Sequence, residues 1–157
     1  MEGDIFMSRS NIFAWSFLGS GAFMLICCFL PVKTVTADGL ILAENEVYKL
    51  MPTLWGFIVL ALSIACIVIP VVGLKEKAAL AGSATALVAG FSLWRISASA
   101  DSAAKLTGSF GSLMNELSSE AQTRQAAVTT GAGFYLTIIA LILVLATGFA
   151  YTIIDDN

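Results

Sequence analysis

Few residues in this chain could do chemistry, and its three cysteines come first among them. Cys27, Cys28 and Cys66 all lie inside apolar runs, and the sequence has no histidine. Cysteines in such runs are typical of small buried hydrophobic residues, whereas a disulfide exchanger needs a Cys-x-x-Cys motif or paired loop cysteines. Without histidine, the chain lacks the usual general base near neutral pH and a principal ligand of haem, zinc and copper.

The other candidate groups also lack a catalytic context. Ser63 and Ser83 lie in apolar runs with no base nearby in the sequence, and the Gly-x-Gly patterns at 19–21 and 131–133 do not follow a predicted strand. The middle of every long apolar run lacks Asp, Glu, Lys and Arg, the groups that proton-coupled transporters keep inside the membrane. We therefore predict a protein that is not an enzyme, with no catalytic residue, no metal site and no cofactor.

The composition is typical of a membrane protein. Of 157 residues, 58% are hydrophobic and 12% are charged, whereas ordinary soluble domains carry roughly 25% charged residues. The net charge of −3 and the lack of basic clusters exclude nucleic acid as a partner. The lipid bilayer is therefore the first predicted partner.

Four apolar runs are long enough to cross about 30 Å of hydrocarbon, which takes roughly 20 residues in a helix. None has a charged residue between its ends. The sequence thus predicts an all-α membrane protein, a single domain over residues 1–157 that forms a four-transmembrane-helix bundle. The predicted spans are residues 11–31, 54–74, 78–95 and 131–154, and the outer segments are 32–53 and 96–130.

Basic residues in the short flanks predict the orientation. Arg9, Lys75 and Lys77 are concentrated in a short tail and a tight turn, whereas the basic residues of the other side are spread over longer segments. Short flanks rich in Lys and Arg stay in the cytoplasm. We therefore expect an integral protein of a bacterial inner or plasma membrane, with both termini cytoplasmic.

Small residues recur on one face of the third predicted span. Gly82, Ala86 and Gly90 are spaced by four residues, and such faces let helices approach closely in lipid. Two interpretations are open: this face packs within the bundle, or it docks another subunit.

The first outer segment contains an Asp38-Gly39 pair between two runs of β-branched and aliphatic residues. Asp-Gly favours a type I′ hairpin turn, because both central residues need positive φ. The sequence predicts a short hairpin with strands KTVTA and LILAE.

The second outer segment carries an apolar stripe at helical spacing, which we take as the candidate contact surface for a partner. A helical hairpin that rises past Trp94, with a break near Gly108–Gly111 and a returning helix that includes a Glu120–Arg124 pair, is favoured. The alternative is a helix over residues 104–118 that lies flat on the membrane with its stripe facing down. The stripe consists of Leu106, Phe110, Leu113, Met114 and Leu117.

The CFLP that closes the first span and the GAGFYLTIIALILVLATG of the fourth are similar to stretches of small bacterial four-span proteins. A plan of four spans with a β-prone first outer segment and a helical second one resembles claudin-like tetraspan proteins in topology. The chain departs from the claudin first-loop motif of Trp, Gly-Leu-Trp and paired Cys, because Trp55 stands alone and no loop cysteine is present. The resemblance therefore implies a four-span plan and transfers no functional residues.

Together these patterns predict a non-enzymatic accessory or assembly subunit of a larger membrane protein complex. It would contact other integral membrane proteins, or further copies of itself, through the outer segments and the small-residue face of the third span. One alternative is a self-associating tetraspan scaffold or pore. Another is a small-molecule or lipid carrier with a cavity between the helices.

Overall fold

The computed structural model describes residues 9–37, 46–117 and 126–153, and these residues are mostly helical. They form four α-helices, three β-strands and one 3₁₀ turn. In chain order the elements are α1 (Arg9–Cys27), β1 (Pro31–Ala37), β2 (Glu46–Lys49), α2 (Leu54–Val72), the 3₁₀ turn (Lys75–Lys77), α3 (Ala78–Leu117), β3 (Ala126–Thr130) and α4 (Ala132–Ile153).

The helices form a bundle in which α1 packs on α2, α2 on α3, α3 on α4 and α4 on α1. The strands lie at one end of this bundle, the sheet end, and the 3₁₀ turn lies at the other, the turn end. At the turn end the Thr152 hydroxyl accepts a hydrogen bond from the Ala79 amide at 3.1 Å. The core between the helices contains Phe17, Met24, Val59 and Val144, all fully buried.

Within the described residues, three helical stretches are long and apolar enough to cross a membrane, by length and composition. They are Leu54–Val72, Lys75–Ser109 and Ala132–Ile153, and α1 contributes a shorter apolar stretch, Asn11–Cys27. Many large apolar side chains on the outward faces of these helices are exposed. An exterior of this kind is suited to lipid, because exposed apolar patches of such extent are rare on soluble monomers.

The first apolar run changes from helix to strand before its predicted end. The run extends to Pro31, but α1 ends at Cys27 and β1 begins at Pro31. Proline provides no backbone N–H for a helix, and it disfavours helical geometry in the residue before it. The apolar character continues past the end of α1 because Cys28, and then Val32 and Val35 of β1, are buried.

A three-stranded antiparallel sheet of order β2-β1-β3 caps the bundle, so the all-α prediction needs correction. β1 pairs with β2 of the same outer segment, in a register other than that of the predicted hairpin. A two-residue turn at Asp38-Gly39 would place Val35 opposite Leu42, whereas Val35 pairs with Glu46. The register is fixed where the chain enters α2, because the Met51 amide donates to the Cys28 carbonyl at 3.1 Å. Residues 38–45, which include the predicted turn and the strand LILAE, lie outside the described residues.

The segment that leads into α4 was predicted to be helical, and this prediction is wrong for residues 126–130. They form β3, and Val128 pairs with Val35 of β1. The run Val128-Thr129-Thr130 is β-branched, which favours a strand, and its pairing satisfies the second edge of β1. The predicted Glu120–Arg124 pair lies outside the described residues.

The predicted break near Gly108–Gly111 is also wrong, because α3 is one helix of 40 residues that continues to Leu117. A glycine costs a helix only about 1 kcal/mol relative to alanine, which does not end a helix continued on both sides by good helix formers. A separate surface helix that starts near residue 104 would need the span to end before it, and α3 has no such end.

The sheet packs against one face of α3 beyond the start of α2. Lys33 of β1 forms an ion pair with Asp101, with Nζ and Oδ1 2.7 Å apart, and Ile96 and Ala100 are buried nearby on the same helix. The Lys33 side chain is 13% exposed and that of Asp101 is 55% exposed. This contact positions the outer part of α3 relative to the bundle.

Candidate functional site

The outer part of α3, residues 96–117, extends past the start of α2 and is called the α3 extension below. Trp55, at the start of α2, lies level with Phe91 of α3, because their ring centroids are 5.0 Å apart in an edge-to-face contact. With the sheet on one face, the extension leaves its opposite face without a partner in the described residues. This face is the first candidate site.

Leu106 and Leu113 of the predicted stripe are strongly exposed, at 73% and 57% of their surface. The other three stripe residues, Phe110, Met114 and Leu117, belong to the same helix, and their side chains lie outside the described part of the chain. Towards the bundle, a shallow groove of about 490 Å³ runs along the helix between Trp94 and Leu106. Its lining includes the small residues Ala98 and Ser102, which leave room for side chains of a neighbouring molecule.

The small-residue face of α3 divides between two environments. Gly82 is buried, and a Cβ there would lie 3.0 Å from the Val144 carbonyl oxygen of α4. Ala86 is half-buried, and a Cβ at Gly90 would have no atom within 4 Å. Gly82 therefore serves contact between α3 and α4 within the chain, whereas Gly90 borders open space.

The cysteines are internal packing residues in the described structure. Cys27, Cys28 and Cys66 are all buried and free, and the Cys66 Sγ lies 3.4 Å from Thr85 Oγ1. No group of three or more His, Cys, Asp or Glu side chains that could hold a metal ion occurs among the described residues.

A second candidate site lies at the sheet end, in a cleft between β2, the start of α2 and α3. The cleft has a volume of about 250 Å³. We call it the outer cleft. It is lined by Tyr48, Lys49, Thr53, Trp55, Ser92, Arg95, Ile96 and Ser99. No motif or spacing in the sequence predicts the outer cleft, because Lys49 and Arg95 lie far apart in the chain. The sequence offers one local indication of such a site. Lys49 follows Tyr48 and Arg95 follows Trp94, each near the end of a predicted span.

The rim of the outer cleft contains a carboxylate–phenol contact. Tyr48 Oη donates a hydrogen bond to Glu46 Oε2 at 2.6 Å. This bond to Glu46, together with some burial and the nearby negative charge, raises the pKa of Tyr48 above its ordinary value. The phenol consequently stays neutral to a higher pH in the folded protein than in the unfolded chain.

Glu46→Gln should lower the pKa of Tyr48 towards its ordinary value, because it removes the charged acceptor that holds the phenolic proton. Since the folded pKa is raised, this contact stabilises the fold below the unfolded pKa, and its contribution is lost as the pH rises through the folded pKa. Ultraviolet titration of tyrosinate in the wild type and in the variant measures the shift, and Tyr48→Phe assigns the signal among the three tyrosines. Identical titration curves for wild type and Glu46→Gln would contradict the contact.

These features define a class of structure: a four-helix bundle, with three helices long and apolar enough to cross a membrane, capped by a three-stranded sheet against which one helix extends. No family model, no curated protein and no solved structure matches the chain.

Proposed function

We propose that this protein is a non-enzymatic accessory or assembly subunit of a larger complex in a bacterial inner membrane. In this proposal α1 crosses the membrane together with the other three helices. The turn end faces the cytoplasm, as the basic residues Arg9, Lys75 and Lys77 favour. The sheet end and the α3 extension then project from the outer face.

The observation that carries the proposal is the exposed apolar face of the α3 extension. Full burial of a leucine side chain contributes about 1.5–3 kcal/mol, so leaving Leu106 and Leu113 in water forgoes a substantial gain. The sheet already occupies the opposite face of the helix, and the ion pair between Lys33 and Asp101 ties the two together. A helix that packs against the sheet on one face and exposes apolar side chains on the other is suited to contact with another protein.

The small-residue face contributes less to this proposal than its spacing implies. Because Gly82 packs on α4, a partner helix could approach α3 closely only around Gly90, next to the exposed Leu87. At 3.6 residues per turn Gly90 lies about 160° around the helix from Leu106, so the proposed contact is centred on Leu106 and Leu113 and does not include Gly90.

Mild detergent extraction of the tagged full-length protein, followed by mass measurement of the purified species, tests the proposal. We expect an assembly that contains proteins of other sizes. A lone species of 16.5 kDa would overturn both the subunit and the self-assembly alternatives. A homo-oligomer without other proteins would overturn the subunit proposal in favour of a self-associating scaffold.

A further inference from the structure

We propose that the outer cleft binds an anion that bears a phosphate group, with Lys49 and Arg95 as its cationic ligands. The cleft adjoins the groove along the α3 extension and shares Arg95 and Ser99 with it, whereas Leu106 and Leu113 lie outside the cleft lining. Anion binding there requires only that the cleft lie near the membrane surface, and it does not depend on any protein partner.

Charge is the first argument. The chain as a whole has a net charge of −3, yet the cleft lining contains two cations, and the one carboxylate described at its rim, Glu46, accepts a hydrogen bond from Tyr48. Lys49 comes from the end of β2 and Arg95 from α3, so two separate elements bring like charges to one concavity. Within the described residues, neither side chain has a carboxylate partner, and both are exposed. Like charges that converge without an internal partner favour an external anion.

The hydrogen-bond donors that line the cleft also favour a phosphate ligand. The hydroxyl of Thr53 donates to Leu50 O, that of Ser92 to Val88 O, and that of Ser99 to Arg95 O. Tyr48 donates to Glu46. Every lining hydroxyl therefore uses its proton within the chain, and the ammonium and guanidinium groups retain the uncommitted donors. The guanidinium fork suits bidentate contact with phosphate, and the ammonium adds a compact charge.

Size and surroundings favour a headgroup-sized ligand. The volume of about 250 Å³ lies below the roughly 300–1,000 Å³ typical of pockets that enclose a drug-sized molecule. Trp55 lines the cleft and contacts Phe91, which in turn lies 5.8 Å from Trp94 between ring centroids. Tryptophan rings favour the interface between headgroups and hydrocarbon. A phospholipid could place its phosphate in the cleft and its glycerol and chains along these rings, whereas a free phosphate ester would use the cations alone.

Binding to the purified full-length protein in neutral detergent tests the site. Native mass spectrometry measures retention of phosphatidylglycerol against phosphatidylcholine, and calorimetry measures binding of glycerol 3-phosphate. We expect the wild type to retain phosphatidylglycerol at least about tenfold better than phosphatidylcholine, and Lys49→Gln/Arg95→Gln to lose about tenfold or more of this preference.

The matched control is Lys77→Gln/Lys105→Gln, which removes two exposed cations from outside the cleft and should behave like the wild type. Monodisperse elution of each variant on size exclusion shows that it is folded. Phosphatidylglycerol preference that glycerol 3-phosphate does not displace assigns the site to a lipid headgroup, and displacement assigns it to free phosphate esters. Absence of both preference and binding in the wild type, or equal losses in the cleft and control variants, would overturn the proposal.

Discussion

Gly56→Ala is expected to lower the free energy of unfolding by about 3 kcal/mol or more, because among the described glycines an added Cβ comes closest to backbone atoms at Gly56. A Cβ at this position would overlap the carbonyl oxygen of Leu50 and lie 2.6 Å from its carbonyl carbon. These are backbone atoms, held by the turn that joins β2 to α2, so no flexible side chain can move aside. The Gly56 amide also donates to Thr53 Oγ1 at 3.0 Å, which fixes the first turn of α2 in that place.

Gly19→Ala is the matched control, because Gly19 also lies in a helix and a Cβ there would meet no atom within 4 Å. This change should be neutral or stabilising by up to about 1 kcal/mol, since alanine favours a helix more than glycine does. The measurement is the fraction of protein that remains monodisperse on size exclusion after heating in detergent. Equal midpoints for Gly56→Ala and Gly19→Ala would show that the Leu50 carbonyl does not constrain the start of α2.

Leu106→Ser/Leu113→Ser should reduce recovery of the partner complex at least about tenfold, while leaving membrane insertion and thermal stability unchanged. The reason is that both side chains are mostly exposed in the isolated chain, so their loss removes little from the fold. In a complex that buries them, each leucine would contribute about 1.5–3 kcal/mol, and 1.4 kcal/mol corresponds to a factor of ten in affinity.

Val47→Ser provides the control, because Val47 is an apolar side chain of β2 that is 50% exposed and lies off the α3 extension. Quantitative co-purification through a tag compares the variants at equal expression. Undiminished recovery with Leu106→Ser/Leu113→Ser would exclude this face as the contact surface. Equal losses with both variants would assign the effect to general surface hydrophobicity.

Hydropathy predicted the helices well because their predicted spans are long and apolar with no charged residue in the middle, and few other structures need such runs. The boundaries at Leu54 and Ala78 agree with the predicted spans, and α4 lies one residue inside each end of its predicted range. The exception is the first span, where the hydrophobic pattern continued into β1. Apolar runs cannot separate a helix from a buried strand, and here Pro31 marked the change.

The sheet and the length of α3 were less accessible from the sequence. The pairing of Val35 with Val128 joins residues from different outer segments, and local patterns carry no information about such distant partners. Gly108 does not break α3, because a glycine lowers helix stability by only about 1 kcal/mol relative to alanine and the helical turns on both sides continue.

The two candidate sites also differ in how far the sequence predicts them. Leu106 and Leu113 follow a periodic pattern on one helix, so the sequence alone indicated their common face, and the structure shows them exposed. The outer cleft unites Lys49 and Arg95 from distant parts of the chain, and their proximity depends on how α2 begins beside α3. Spacing within one element is visible in a sequence, whereas convergence between elements is not.

The central position of β1 has a consequence for the order of biosynthesis. Its first partner, β2, follows soon after it in the chain, but its second partner is far away: Thr36 and the Ala127 carbonyl that it contacts are 91 positions apart. During synthesis one edge of β1 therefore stays unpaired while α2 and α3 are made, and an open strand edge can associate with other chains. β3 closes that edge only when the segment before α4 emerges. Completion of the sheet thus waits for the segment just before α4, and the open edge of β1 is accessible to other chains throughout the interval before it.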